Sequence, residues 1–257
     1  MTPTFALAGG FTWLGSVISE HLHWPHGQEV RFAHSMLVVV IILALAMLAR
    51  MALSKVPDGK EGLVPEANLK PRNLLELYTE GMWNMVTGLL APDDAKRFFP
   101  LIAGIFLYIL VSNLMGIFPG FSPPTDHVNT NLGMALVVFL TYNFYGIKRQ
   151  GLGGYLKHMM GPVLALAPLI FLIEVIGHFV RPLSLSIRLY GNMSGDHVVL
   201  DIFMNQLPEF VGAIMGWGLP VIFLGLGIFV SLIQAYVFSL LSLLYIAVAV
   251  EVHDDHH

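Results

Sequence analysis

Apolar residues fill this chain in long, nearly uninterrupted blocks, and the lengths of those blocks limit what they can form. A helix needs about 20 mostly apolar residues to cross the hydrocarbon core of a bilayer. Phe32–Leu53, Phe98–Phe118 and Leu132–Ile147 are of about that size. Pro162–Phe203 and Phe210–Val250 are much longer, and at 1.5 Å per residue each would reach roughly 60 Å. Each therefore predicts either a pair of short spans or one strongly tilted helix. The stretch Asn73–Leu90 has a different rhythm: Leu74, Leu77, Tyr78, Met82, Met85, Val86 and Leu89 recur at three- and four-residue steps, with Glu76, Glu80 and Asn84 on the other side. That periodicity predicts an amphipathic helix in the membrane interface, with a short buried span as the alternative. The whole pattern predicts an all-α integral membrane protein in which residues 1–257 form a single membrane domain, with five membrane helices and one interfacial helix.

Composition supports lipid as the solvent. Only 12% of the residues are charged, where a soluble domain carries roughly 25%. The chain has no cysteine, which removes disulfides, thiolate nucleophiles and cysteine metal sites. No basic cluster is dense enough for nucleic acid, and no internal repeat suggests an inverted-repeat transporter.

The distribution of charge says more than its total. Arg50, Lys55, Lys60, Lys70, Arg72, Lys96 and Arg97 lie between the first two spans, and Lys148, Arg149 and Lys157 follow the third. The positive-inside rule places both segments in the cytoplasm and the N-terminus outside. Five crossings then put the C-terminus inside, whereas splitting a long block would put it outside. The tail after Val250 has no Lys or Arg to decide between them.

Charged groups at membrane depth cost at least ~2.5–3.5 kcal/mol each and usually face protein or a wet cavity. Glu174, His178, Arg181, Arg188, Asp196, His197, Asp201 and Gln234 therefore require a reason. Glu174, His178, Arg181, Arg188, Asn192 and Asp196 are spaced by threes, fours and a seven, which puts them on one helix face. His197 is nine residues past Arg188, about half a turn round. Carboxylates and imidazoles can bind and release protons, so such a row suits ion or proton passage. A guanidinium stays charged and cannot relay; it can act as a gate. Other readings stay open. Arg181, beside Pro182, fits a helix end that snorkels to the interface. Arg188 fits snorkelling or an ion pair with Asp196 or Glu174. Glu174 and His178 could share a metal, although no third ligand is near in sequence. The histidines near the two termini read as solvated.

The residues Pro182-Leu-Ser-Leu-Ser-Ile-Arg188-Leu-Tyr-Gly-Asn192-Met resemble the signature of the subunit a family of F-type ATP synthases, the stator half of a proton channel. Pro123-Pro-Thr-Asp-His127-Val-Asn129-Thr-Asn-Leu is similar to the family's outer-loop motif, and Ile233-Gln234-Ala-Tyr to its last-helix motif. The resemblance implies two long final helices forming a tilted hairpin against a rotating ring of c subunits. It implies that Arg188 faces the ring carboxylate, with Asn192 and Gln234 beside it. Glu174 and His178 would then line a cytoplasmic half-channel. His127, Asn129, Asp196, His197 and Asp201 would serve the outer one. At Gly227 the family often has a relay side chain that this chain lacks. The implied partners are the c-ring, the b subunits of the peripheral stalk and the rest of the complex, in a bacterial inner membrane or, alternatively, a mitochondrial one. No cofactor or metal is implied, and the chain is expected not to be an enzyme by itself; it has no phosphate-binding loop. The competing reading is a secondary transporter of an anionic substrate using Glu174, His178 and Arg188.

Overall fold

The computed structural model describes residues 28–53, 71–118, 121–160, 166–201 and 218–250. They form six α-helices: α1 Gln28–Leu53, α2 Pro71–Thr87, α3 Pro92–Met115, α4 Val128–Met160, α5 Ala167–Asp201 and α6 Gly218–Val250. A short 3-10 turn, Pro124–Asp126, precedes α4. All but α2 contain a stretch long and apolar enough to cross a membrane.

The boundaries follow from local chemistry. α3 starts with Pro92 in its first turn, where a missing N–H costs nothing, and Asp93 and Asp94 complement the positive end of the helix dipole. It therefore begins six residues before the apolar block at Phe98. α4 is far longer than Leu132–Ile147, because it also takes in polar residues at both ends. It breaks at Gly151, whose φ of 71° and ψ of 161° lie outside the helical region and suit a residue without Cβ.

Among the described residues, each long apolar block holds one continuous helix rather than two short ones. α5 has 35 residues and α6 has 33, about 50 Å each at 1.5 Å per residue. A bilayer accommodates such lengths by helix tilt. The segment joining α5 to α6, residues 202–217, lies outside the described residues.

α6 is packed chiefly along α3, and α5 chiefly along α4. The inner face of α6 presents Ser231, Ala235, Ser239 and Ser242, all buried small residues that allow close helix approach. Around them lie Ile102, Phe106 and Ile109 from α3, Val138 and Tyr142 from α4, and Leu185 and Leu189 from α5. α2 runs antiparallel to the first half of α3: Tyr78 meets Phe106, and Trp83 meets Phe99. It buries Met82 and Val86 and leaves Leu74 and Leu77 exposed, as an amphipathic helix against apolar surroundings does.

The end of α6 is fixed to the start of α3. Arg149 of α4 pairs with Asp94 and also donates to the Val250 carbonyl at 3.1 Å, while Gln150 donates to the Ala249 carbonyl at 3.3 Å. These contacts satisfy carbonyls that the last turn of a helix leaves without internal partners. The basic starts and ends of α3 and α4 therefore share one end of the bundle with the end of α6.

Candidate functional site

Three polar groupings follow one another along α5. The first is built on Glu174, His178 and Arg181, which successive turns bring to one face. Arg181 donates to Glu174 Oε1 at 2.7 Å, and its guanidinium lies 5.6 Å from the centre of the Tyr245 ring on α6. The expectation that Arg181 ends a helix and snorkels to the interface is corrected: α5 continues past it, and the half-buried guanidinium is held by a carboxylate of its own helix and an aromatic ring of α6.

His178 is held from α4. Its Nε2 is 2.8 Å from the Tyr155 hydroxyl, which donates to Asn143 Oδ1 at 2.9 Å. Asn143 Nδ2 in turn donates to the Phe139 carbonyl at 2.7 Å. These bonds assign the protons. The Asn143 oxygen accepts, so Tyr155 gives its only proton there and must accept from His178 Nε2–H. His178 Nδ1 stands 3.8 Å from Glu174 Oε1. A metal between Glu174 and His178 would have to displace Arg181, a cation already bound to the carboxylate.

The second grouping lies further along α5. Arg188 is exposed and has no hydrogen-bond or ion-pair partner among the described residues. Leu185 and Leu189, adjacent to it on the helix, are buried in the core. Asn192, one turn on, is exposed at the surface and donates to Gln234 Oε1 of α6 at 2.5 Å. Gln234 is only 3% exposed, and its Nε2 has no partner among the described residues. The pairing of Arg188 with Glu174 is corrected, since Glu174 is bound to Arg181. The side chains of Asp196, His197 and Asp201, in the last turns of α5, lie outside the described residues.

The third grouping surrounds the turn before α4. Thr125 donates to Asn113 Oδ1 at 2.7 Å, and Asn131 Nδ2 donates to the Thr125 carbonyl at 2.7 Å. Thr125, Asn113 and Asn131 are all buried. From this anchored turn Asp126 reaches α5, where Ser194 donates to its Oδ1 at 2.7 Å. His127 closes the turn and Asn129 is exposed in the first turn of α4. Gly227 of α6 faces Ile117.

Of the sequence-predicted residues, Glu174, His178, Arg188 and Asn192 follow one another along α5, Gln234 meets Asn192 from α6, and His127 and Asn129 lie at the turn and first turn of α4. Sequence reasoning passed over Tyr155, Asn143 and Tyr245, which complete the first grouping, and Asn113 and Ser194, which complete the third with Thr125 and Asn131 of the outer-loop motif. Polar residues inside apolar blocks were the available signal for Asn113 and Asn143.

Residues 32–247 match the family model described as ATP synthase A chain. The chain is 42% identical to ATP synthase subunit a of Geotalea daltonii, over 90% of this chain and 94% of that one. It is 41% identical to ATP synthase subunit a 3 of Pelobacter propionicus, covering 90% and 91%. With ATP synthase subunit a of Bdellovibrio bacteriovorus it shares 39% identity, over 89% and 95%.

Proposed function

The chain belongs to the ATP synthase A chain family, and from that premise we propose that it is the membrane-embedded stator of a proton-driven rotary ATP synthase, working against a ring of c subunits. It is the proton-channel component of the F0 sector in a bacterial inner membrane, as the bacterial origin of its relatives supports. The chemistry on nucleotides belongs to other subunits, and the b subunits of the peripheral stalk hold this one in place. The family displaces the reading as a transporter of an anionic substrate.

The observation that carries the reading is Arg188: a permanent cation on the exposed side of an apolar helix, with no partner among the described residues. A charge in that position is stabilised by an external anion, and a ring carboxylate supplies one. Beside the guanidinium the carboxylate's ionised form is favoured, so each carboxyl must release its proton before passing. On leaving the cation it takes up a proton again. Arg188 thereby separates two half-channels, and protons cannot cross without turning the ring. Each proton carries ~2.3 kcal/mol per 100 mV, so several are coupled to each ATP.

Protons enter from the outer side past His127, Asn129, Asp201 and His197, with Asp196 nearby, and reach the ring close to Asn192 and Gln234. They leave on the cytoplasmic side past His178 and Glu174, the basic end of the bundle. The contacts from Arg149 and Gln150 to the last residues of α6 support a cytoplasmic C-terminus, and five crossings then leave the N-terminus outside.

The test is Arg188→Ala in the complete complex, reconstituted in vesicles. ATP-driven proton pumping is expected to disappear with the complex still assembled, and coupled pumping at the wild-type rate would refute the assignment. Arg188→Lys is expected to fail as well, since an ammonium lacks the planar fork and can lose its proton when desolvated.

A further inference from the structure

We propose that the seam between α3 and α4, on the basic side of the bundle, holds an anionic phospholipid, with its phosphate on Lys96 and Arg97 and one acyl chain in the groove beyond them. The inference goes beyond the stator reading and uses only the placement of the chain in a membrane.

A groove of about 280 Å³ opens on the outside of the bundle, lined by Pro100, Leu101, Gly104, Ile105 and Tyr108 of α3 and by Met134 of α4. From Pro100 to Tyr108 it runs about 12 Å at 1.5 Å per residue, within the ~15 Å that one leaflet contributes to a hydrocarbon core of ~30 Å. Gly104 keeps it open, since a Cβ there would meet nothing within 4 Å. In a bilayer such an apolar groove is filled by an acyl chain or by the side chains of another helix. The charges at its end decide between them.

Lys96 and Arg97 stand one turn before Pro100 and Leu101, so the helix brings both cations to the end of the groove, and both are exposed. The Arg97 guanidinium lies 5.2 Å from the centre of the Tyr145 ring on α4, and Phe98 meets that ring edge-on at 4.9 Å. This cation–π contact holds the guanidinium across the seam between the two helices. The nearby acids do not neutralise it. Asp94 is paired with Arg149, and Asp93 lies one turn further from the groove. No carboxylate pairs with Arg97 among the described residues. Arg97 immediately precedes the apolar block that begins at Phe98, which puts the cations at the level of lipid phosphates. A planar guanidinium can take two phosphate oxygens at once, and basic pockets between membrane helices recognise such headgroups. A partner helix would need an acidic group at this same depth; a phospholipid carries the phosphate and the apolar chain on one molecule, in the required order.

The test uses the complete complex in phosphatidylcholine vesicles containing a minor fraction of phosphatidylglycerol, with a photoreactive group on the acyl chain of one lipid or the other. Phosphatidylglycerol is expected to label residues 101–108 and Met134, and phosphatidylcholine to label them much less. Arg97→Gln is expected to cut the phosphatidylglycerol labelling about fivefold, the attraction lost with one cation near the surface, and Arg97→Lys to restore part of it. Gly104→Leu fills the groove and is expected to abolish labelling there by both lipids. Arg97→Gln, at an exposed position, keeps the test decisive should Gly104→Leu fail to assemble. Equal labelling by the two lipids in the unaltered complex, or undiminished phosphatidylglycerol labelling in Arg97→Gln, would overturn the proposal. Cross-linking of these residues to a helix of the b subunits in place of lipid would overturn it too. Arg188→Ala is expected to label as the unaltered complex does, so the lipid result is read independently of the stator reading.

Discussion

The Asn192 amide donates to the Oε1 of Gln234 at 2.5 Å, and this bond joins the two long helices one turn from Arg188. α5 and α6 otherwise pack mainly on different neighbours. The bond therefore sets how the surface around Arg188 meets the end of a buried polar side chain.

Replacing Asn192 by Leu leaves the buried Gln234 amide without its acceptor bond satisfied, at a cost of about 1–3 kcal/mol. Gln234→Leu alone leaves the exposed Asn192 to water and is expected to cost less. The double variant should fall short of the sum of the two by at least 0.5 kcal/mol, about the smallest coupling expected of residues in contact. Thermal unfolding of the purified complex reads all three, and strict additivity would show that the pair is not coupled.

Tyr155→Phe removes the hydroxyl that links His178 to Asn143. The expected loss is about 0.5–1.5 kcal/mol of stability, together with slower proton release on the basic side of the bundle. Gly146→Ala is expected to act in the same direction while leaving every residue of the network in place chemically, by displacing the Tyr155 ring. Its Cβ would lie 2.7 Å from Tyr155 Cε2 and 3.4 Å from the Ala249 carbonyl, so the ring must move. Passive proton flux through the membrane sector checks both, and unaltered flux in Tyr155→Phe would take the network out of the proton path.

How much of this was legible in the sequence depends on the range of the forces involved. The five membrane helices were, because lipid exposure imposes apolar side chains over a fixed length. The amphipathic α2 was, because its two faces meet different surroundings. The exposed Arg188 was visible as a charge with no local reason. The fate of Arg181 was not: its seven-residue spacing from Glu174 permits a pair, but Tyr245, whose ring the guanidinium covers, comes from another helix. The reach of Asp126 to Ser194 was equally hidden, since 68 residues separate them.

Arg149→Ala is expected to destabilise the bundle by about 1–3 kcal/mol, through the desolvation cost of groups left unpaired. It strips the partner from Asp94, whose side chain is 10% exposed, and a donor from the Val250 carbonyl. Arg149 itself is 38% exposed, so the loss falls below that of a sealed ion pair. Lys148→Ala, at the exposed neighbouring position, serves as the comparison and should change little. Equal melting temperatures for the two variants would contradict the clamp.

Tyr78 gives a pH dependence with a definite sign. Burial raises its phenol to about 12 from 10.0, and the hydroxyl donates to the Ala103 carbonyl at 2.6 Å. A folded-state value above the unfolded one means that its stabilisation is fully present below pH 10.0 and is lost as pH rises towards about 12. Tyr78→Phe should therefore flatten the alkaline limb of the stability curve. An unchanged limb would show that another group controls it.

The break at Gly151 places the tyrosine that holds His178 on a separate arm from the helix that holds Asn143. One backbone swivel therefore governs whether the imidazole, the phenol and the amide form a continuous wire. A residue with a side chain at position 151 would resist the positive φ, and would change the aim of Tyr155 without altering any member of the chain it completes.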